Sequence, residues 1–120
     1  MPRAYQRQTV NVNLLVGDTT KDLVAAPGVG KRIRVMGLHV ELTTSAAQTI
    51  DIQDGAGTVN LLKLPASSAV GKKTDWSLPP DAPGVALTEN SALRVVVGAA
   101  GNGASITVEY YVEISTWTNA

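Results

Sequence analysis

His39 is the single histidine of the chain, and it limits the chemistry that the sequence can support. Imidazole exchanges a proton near neutral pH, so any Ser-His-Asp arrangement would have to pass through this position. A metal site built from a cluster of histidines lacks its ligands within one chain. His39 stands between Leu38 and Val40 and points away from their apolar row, which reads as an exposed or interfacial ring. Gly28-Val29-Gly30-Lys31 shares part of the spacing of a phosphate-binding loop. However, Ala25 stands where that loop needs Gly, Arg32 stands where it needs Ser or Thr, and a strand follows instead of a helix. A tight reversal between two strands is the expectation there. Asp51 and Asp54 run into Gly55-Ala56-Gly57 without the alternating oxygen ligands or the distant Glu of a calcium loop, so a hairpin turn, type I′ or bulged, is expected. Glu109 and Glu113 lie roughly 13 Å apart along an extended strand, too far to cooperate as acid and base. They are expected to face solvent or to pair with Lys and Arg on neighbouring strands. No catalytic, cofactor-binding or metal-binding residue is assigned, and no enzyme activity is expected.

Contact residues are the remaining candidates. Arg32 and Arg34 alternate with Ile33 and Val35 and, with Lys31, form a basic strip able to pair bidentately with carboxylates. Trp76, Tyr111 and Trp117 fall where aromatics can be exposed. Such residues more often anchor subunit interfaces than stack sugars, so with His39 they form the interface set. Tyr110 lies on an apolar row and is expected in the core. Residues 1–8 carry Arg3, Tyr5 and Arg7 with Pro2 and little else that is apolar, too little to fold alone. They read as an arm that orders on contact, and Arg3, Tyr5 and Arg7 join the contact set.

The elements that must hold these residues follow from composition and period. The chain has 120 residues, 44% of them apolar, no Cys, no Phe and a formal net charge of zero. That length supports one core, hence one domain over 9–120 behind the arm. A neutral chain has no long-range field to gather nucleic acid. The first residues lack the apolar run of a secretion signal, and the stretch around Val95 to Ala100 is too short to cross a bilayer. The expectation is folding in the cytosol with neither nucleic acid nor membrane as partner. Absence of Cys suits a reducing compartment and equally a particle that later meets oxidising surroundings.

Apolar residues alternate with polar ones over Thr9 to Val16 and over Ser105 to Trp117. Between Arg32 and Thr43 the phase changes: Ile33 and Val35 are odd, Leu38, Val40 and Leu42 even. This places a β-bulge at Met36-Gly37. Shorter strands are expected at Leu23 to Ala26, Thr49 to Gln53 and Thr58 to Leu64, the last two as a hairpin. Lys72 to Leu78 reads as an edge strand guarded by its lysines. Val85 to Leu87 and Leu93 to Val97 are expected to pair with each other, and Gly98 to Ala104 to form a hairpin loop. No helical period occurs. Nine short strands imply an all-β fold, two packed antiparallel sheets in a jelly-roll sandwich.

Ala25-Ala26-Pro27-Gly28-Val29-Gly30, the following Lys31-Arg32-Ile33-Arg34-Val35-Met36-Gly37-Leu38, Thr88-Glu89-Asn90-Ser91-Ala92-Leu93-Arg94-Val95 and the closing Tyr110-Tyr111-Val112 resemble, in strand order and turn composition, the small jelly-roll decoration or cement proteins of tailed bacteriophage heads. The resemblance implies a homotrimer on the outer surface of the virion, over junctions between major-capsid subunits, assembled in the host cytoplasm and stabilising the shell without chemistry or cofactor. The alternative on the same fold is a receptor- or carbohydrate-binding module of a fibre or head appendage.

Overall fold

The computed structural model describes residues 7–15, 19–43, 49–57, 59–64, 71–79, 81–97 and 103–114. They form β1 (Gln8–Leu14), β2 (Thr20–Val24), β3 (Lys31–Leu42), β4 (Ile50–Asp54), β5 (Asn60–Leu64), β6 (Lys73–Ser77), β7 (Val85–Ala86), β8 (Leu93–Val97) and β9 (Ala104–Ile114), with no helix among the described residues. One sheet has the order β1-β9-β3-β6, with β7 also on β3, and the other has β2-β8-β4-β5. All pairings are antiparallel. The pairs β1/β9, β2/β8, β3/β6 and β4/β5 are nested, the outermost strands of the chain together and the innermost together. A long double strand rolled up so that β9 also meets β3, and β8 meets β4, gives this order, which is the jelly-roll arrangement.

Alternation dictates which side chains lie between the sheets. From one sheet come Ile33, Leu38, Val40, Ile106 and Val108, and from the other Ile50, Ile52, Leu93 and Val95, all 1% exposed or less. With no Phe, this layer is filled by branched aliphatic side chains that stand on a pleated surface in few rotamers. The phase change of β3 is resolved as expected. Its register against β9 shifts between Val35 and Gly37, so Met36 is the extra residue and both halves of the strand keep their apolar side inward. The edge position of β6 and the β4–β5 hairpin also agree with the sequence. In that hairpin's turn, Gly57 N–H donates to the Asp54 carbonyl at 2.9 Å and Gly57, not Gly55, has positive φ (75°), which selects the bulged turn over type I′.

Two pairings differ from expectation. Val85–Ala86 pairs with Arg34 and Val35 of β3, whereas Leu93–Val97 lies in the other sheet between β2 and β4, so the two strands do not pair with each other. The connection over 98–103 likewise links β8 in one sheet to β9 in the other and closes no hairpin. In both cases the chain crosses between layers.

Asp54 joins the sheet edge to the β7–β8 connection. Fully buried, its carboxylate accepts from Val59 N–H (3.2 Å), Thr88 N–H (3.1 Å) and the Thr88 hydroxyl (2.5 Å). Gly55 N–H adds a bond to the Ala92 carbonyl at 2.7 Å.

Candidate interaction face

The outer face of the five-stranded sheet collects most of the groups that the sequence singles out. On β3 the residues pointing outward are Arg32 and Arg34 before the bulge and His39 and Glu41 after it. Thr107, Glu109, Tyr111 and Glu113 of β9 share that face, as do Lys73 and Asp75 of β6. The bulge therefore keeps the arginines and the histidine on one side of a strand whose even-odd phase would otherwise separate them.

His39 sits between two carboxylates. Its Nε2 lies 3.0 Å from Glu109 Oε2 and its Nδ1 3.3 Å from Asp75 Oδ1, a chain of charge across β9, β3 and β6. Asp75 is its direct partner in register; Glu109 reaches it from the position opposite Gly37. The hydrogen bond to Glu109, helped by the hydrogen bond and charge of Asp75, raises the pKa of His39 above its ordinary value against the opposing effect of burial. With a carboxylate at each nitrogen, neither ring nitrogen is turned to a hydroxyl that it could deprotonate. Beside it an open depression of about 290 Å³ is lined by His39, Glu41, Lys73, Asp75, Ser105 and Thr107. Among the described residues no group of His, Asp and Glu is placed to hold a metal ion.

The basic strip is partly neutralised. Glu113 Oε1 lies 2.6 Å from Arg34 Nε and 3.9 Å from Arg32 Nε. Arg34 Nη1 also donates to the Gly84 carbonyl at 3.2 Å. Glu113 is thus a partner for arginines on the neighbouring strand, as the sequence suggested, whereas Glu109 pairs with His39 rather than with Lys or Arg. Lys31 is exposed at the start of β3. Arg7 is exposed and immediately precedes Gln8, which faces Tyr110, which in turn faces Val35. Arg7, Arg32 and Arg34 therefore lie toward one end of one sheet. Arg3, Tyr5 and Trp117 fall outside the described residues.

The interface set is not one cluster. His39 and Tyr111 share the outer face, and the Tyr111 hydroxyl donates to the Pro83 carbonyl, pinning the β6–β7 connection. Trp76 faces the other way, opposite Leu38, half-buried against the core. Tyr110 packs on the core as expected, and its hydroxyl donates to Gln8 Oε1 at 3.2 Å. Asp75 was not among the sequence candidates: its role depends on the register of β6 against β3, which alternation alone does not fix.

The Gly28–Gly30 turn has its amides occupied. Gly28 N–H donates to Asn90 Oδ1 at 2.9 Å and Gly30 N–H to Glu89 Oε2 at 3.0 Å, so a carboxylate of the chain itself stands where a phosphate would be cradled. This agrees with the structural turn expected from the sequence.

The fold and face together define an all-β jelly-roll sandwich with a paired-charge surface. No protein-family model matches the chain, and no curated protein sequence matches it. Among solved structures, it is similar to a chain of the acidic stable capsid structure of Helicobacter pylori bacteriophage KHP30, at 16% identity and a TM-score of 0.63, over 90% of each chain. A chain of the cyanophage Pam1 capsid asymmetric unit aligns at 19% identity and a TM-score of 0.41, over 88% of this chain and 83% of the other.

Proposed function

We propose that this protein is a non-enzymatic decoration or cement protein of a tailed-phage capsid. It binds as a homotrimer to the outer surface of the mature head, contacting the major capsid protein, after assembly in the host cytoplasm. The observation that carries the reading is the mutual overlap with the chain from the KHP30 capsid structure: 90% of each chain aligns, so that neighbour is a jelly roll of about the same length. A small sandwich of this size fits an accessory on a shell. The outer face supports a binding role over chemistry, since the ring nitrogens of His39 and one carboxylate oxygen of Glu113 are committed to partners within the sheet.

A trimer touching several shell subunits converts later contacts into intramolecular ones, raising avidity by roughly a hundredfold to ten-thousandfold, so each contact can be weak. Residues 1–7, with Arg3, Tyr5 and Arg7, act as a tether ahead of β1, whose first residue is Gln8, and His39 and Tyr111 of the outer face contribute subunit contacts, whereas Trp76 is turned to the core. The test is cryo-electron microscopy of the encoding phage's particles with and without the protein. Regularly spaced density over the expanded shell, absent from unexpanded precursors and accompanied by greater heat resistance, is the expected result. Density confined to a fibre or tail tip would replace this reading with the appendage module.

A further inference from the structure

Val29 is held out into solvent at the end of the sandwich where β3 begins. It is 84% exposed, although reversals of this kind usually carry polar residues at their tips. Its mount is fixed. Gly28 and Gly30 have φ of 114° and 81°, conformations open to glycine, and each donates its N–H to a side chain of the β7–β8 turn. Lys31 N–H closes the reversal on the Gly28 carbonyl at 3.1 Å, and Asn90 N–H donates to the Lys31 carbonyl at 2.8 Å. Asn90 makes these bonds at φ 53°, the sole left-handed non-glycine among the described residues. Two turns 62 residues apart are thus knitted together beneath an apolar tip. Ile114, opposite Lys31 and 37% exposed, adds a second apolar side chain at the same end.

Charge beside this tip identifies what it meets. Arg32 and Arg34 share one carboxylate on their face of the sheet, Glu113, which Arg34 holds at 2.6 Å, and Lys31, opposite Ile114, is exposed at the start of β3. Arg32 Nε is buried, 3.9 Å from that carboxylate and without a hydrogen-bond acceptor among the described residues. That nitrogen is closed to an outside partner, but the side chain is 32% exposed, so a carboxylate on another protein can approach its terminal Nη groups. A rigid apolar anchor next to it loses little freedom on docking.

We propose that the Val29 tip and Arg32 together seat the chain on an acidic protein surface, Val29 entering a small apolar pocket and Arg32 taking an Asp or Glu carboxylate beside it. This rests on the decoration reading and names the shell-facing contact within it.

The test uses the full chain and purified expanded heads assembled without it, with binding measured by co-sedimentation and oligomeric state by light scattering. Val29→Asp should weaken binding roughly tenfold or more, Val29→Ile should retain it, and Arg32→Gln should weaken it severalfold while flattening its salt dependence. Melting temperature and oligomeric state should stay at the wild-type values. Wild-type binding left intact by Val29→Asp overturns the proposal alone. A change of oligomeric state in Val29→Asp overturns it too, since the tip is then a contact between copies. Wild-type chain that fails to sediment with the heads removes the decoration reading itself.

Discussion

Glu109 occupies the space left by the missing side chain of Gly37: a Cβ at position 37 would stand 2.9 Å from Glu109 Oε2 and 3.3 Å from the Trp76 carbonyl oxygen. The same carboxylate oxygen is the one 3.0 Å from His39 Nε2. The bulge thus does more than reset the phase of β3, because it opens the gap through which β9 reaches the histidine.

Replacing Gly37 with Ala should press on both atoms. Glu109 can swing away, but the Trp76 carbonyl belongs to a paired strand and cannot. A stability loss of about 1–2 kcal/mol is expected in denaturant melts. NMR titration should also find the His39 pKa lowered toward 6.5 as its strongest hydrogen bond goes. An unchanged titration would mean that Glu109 holds its place around the added methyl.

The raised pKa of His39 makes stability depend on pH in one direction. The protonated ring donates to both carboxylates, so its stabilisation is complete below about 6.5, the unfolded value, and is lost as pH rises through the higher folded value. Thermal melts of wild type should therefore decline across that window relative to His39→Gln, which lacks the step. The ring is 38% exposed and solvent screens the pair, so the step is no larger than about 1 kcal/mol and shrinks with added salt.

Asp54→Ala should be among the most damaging polar substitutions. It strands the Val59 and Thr88 amides and the Thr88 hydroxyl in a place where the carboxylate was fully buried. A cost of about 3 kcal/mol or more is expected, comparable to Leu38→Ala in the core. Thr88→Val, which keeps the amide bond and removes only the hydroxyl, should cost about 1–2 kcal/mol. A mild effect of Asp54→Ala in urea melts would show that water replaces the carboxylate.

Glu113 should couple unequally to its two arginines. Double-mutant cycles are expected to give roughly 0.5–1 kcal/mol for Arg34 with Glu113 and near zero for Arg32 with Glu113, following their separations of 2.6 and 3.9 Å. Equal couplings would mean that the carboxylate is shared between the two in solution.

Strand positions were legible because Val, Ile and Leu alternate with polar residues wherever one side meets the core. The break in that alternation at Met36-Gly37 marked the bulge, and Lys72 and Lys73 marked the edge. Neighbours were less legible. Alternation says which side of Val85–Ala86 is buried, not that Arg34 and Val35 will be its partners, and a two-residue strand offers no register to match. The pairing of Glu113 with the basic strip could be foreseen as opposite charges on adjacent strands. The Asp75–His39–Glu109 row could not, since it needs two registers and a bulge at once. Asp54 looked like a turn residue. Its burial is decided by Thr88, 34 residues further along the chain.

The nesting of β1 with β9 also fixes the order in which the molecule can come together. Gln8 and Tyr110, bonded side chain to side chain, are 102 residues apart. While the chain is being synthesised, β1 and most of β3 must wait beside the ribosome with apolar sides uncovered until the final strand emerges and slots between them. Contacts of such long range place folding on the millisecond-to-second scale rather than the microsecond scale of local bundles. The loss of residues 104–120 would therefore leave a sheet without β9, which lies between β1 and β3, and a truncated product of that kind should collect in inclusion bodies rather than persist as a smaller folded domain.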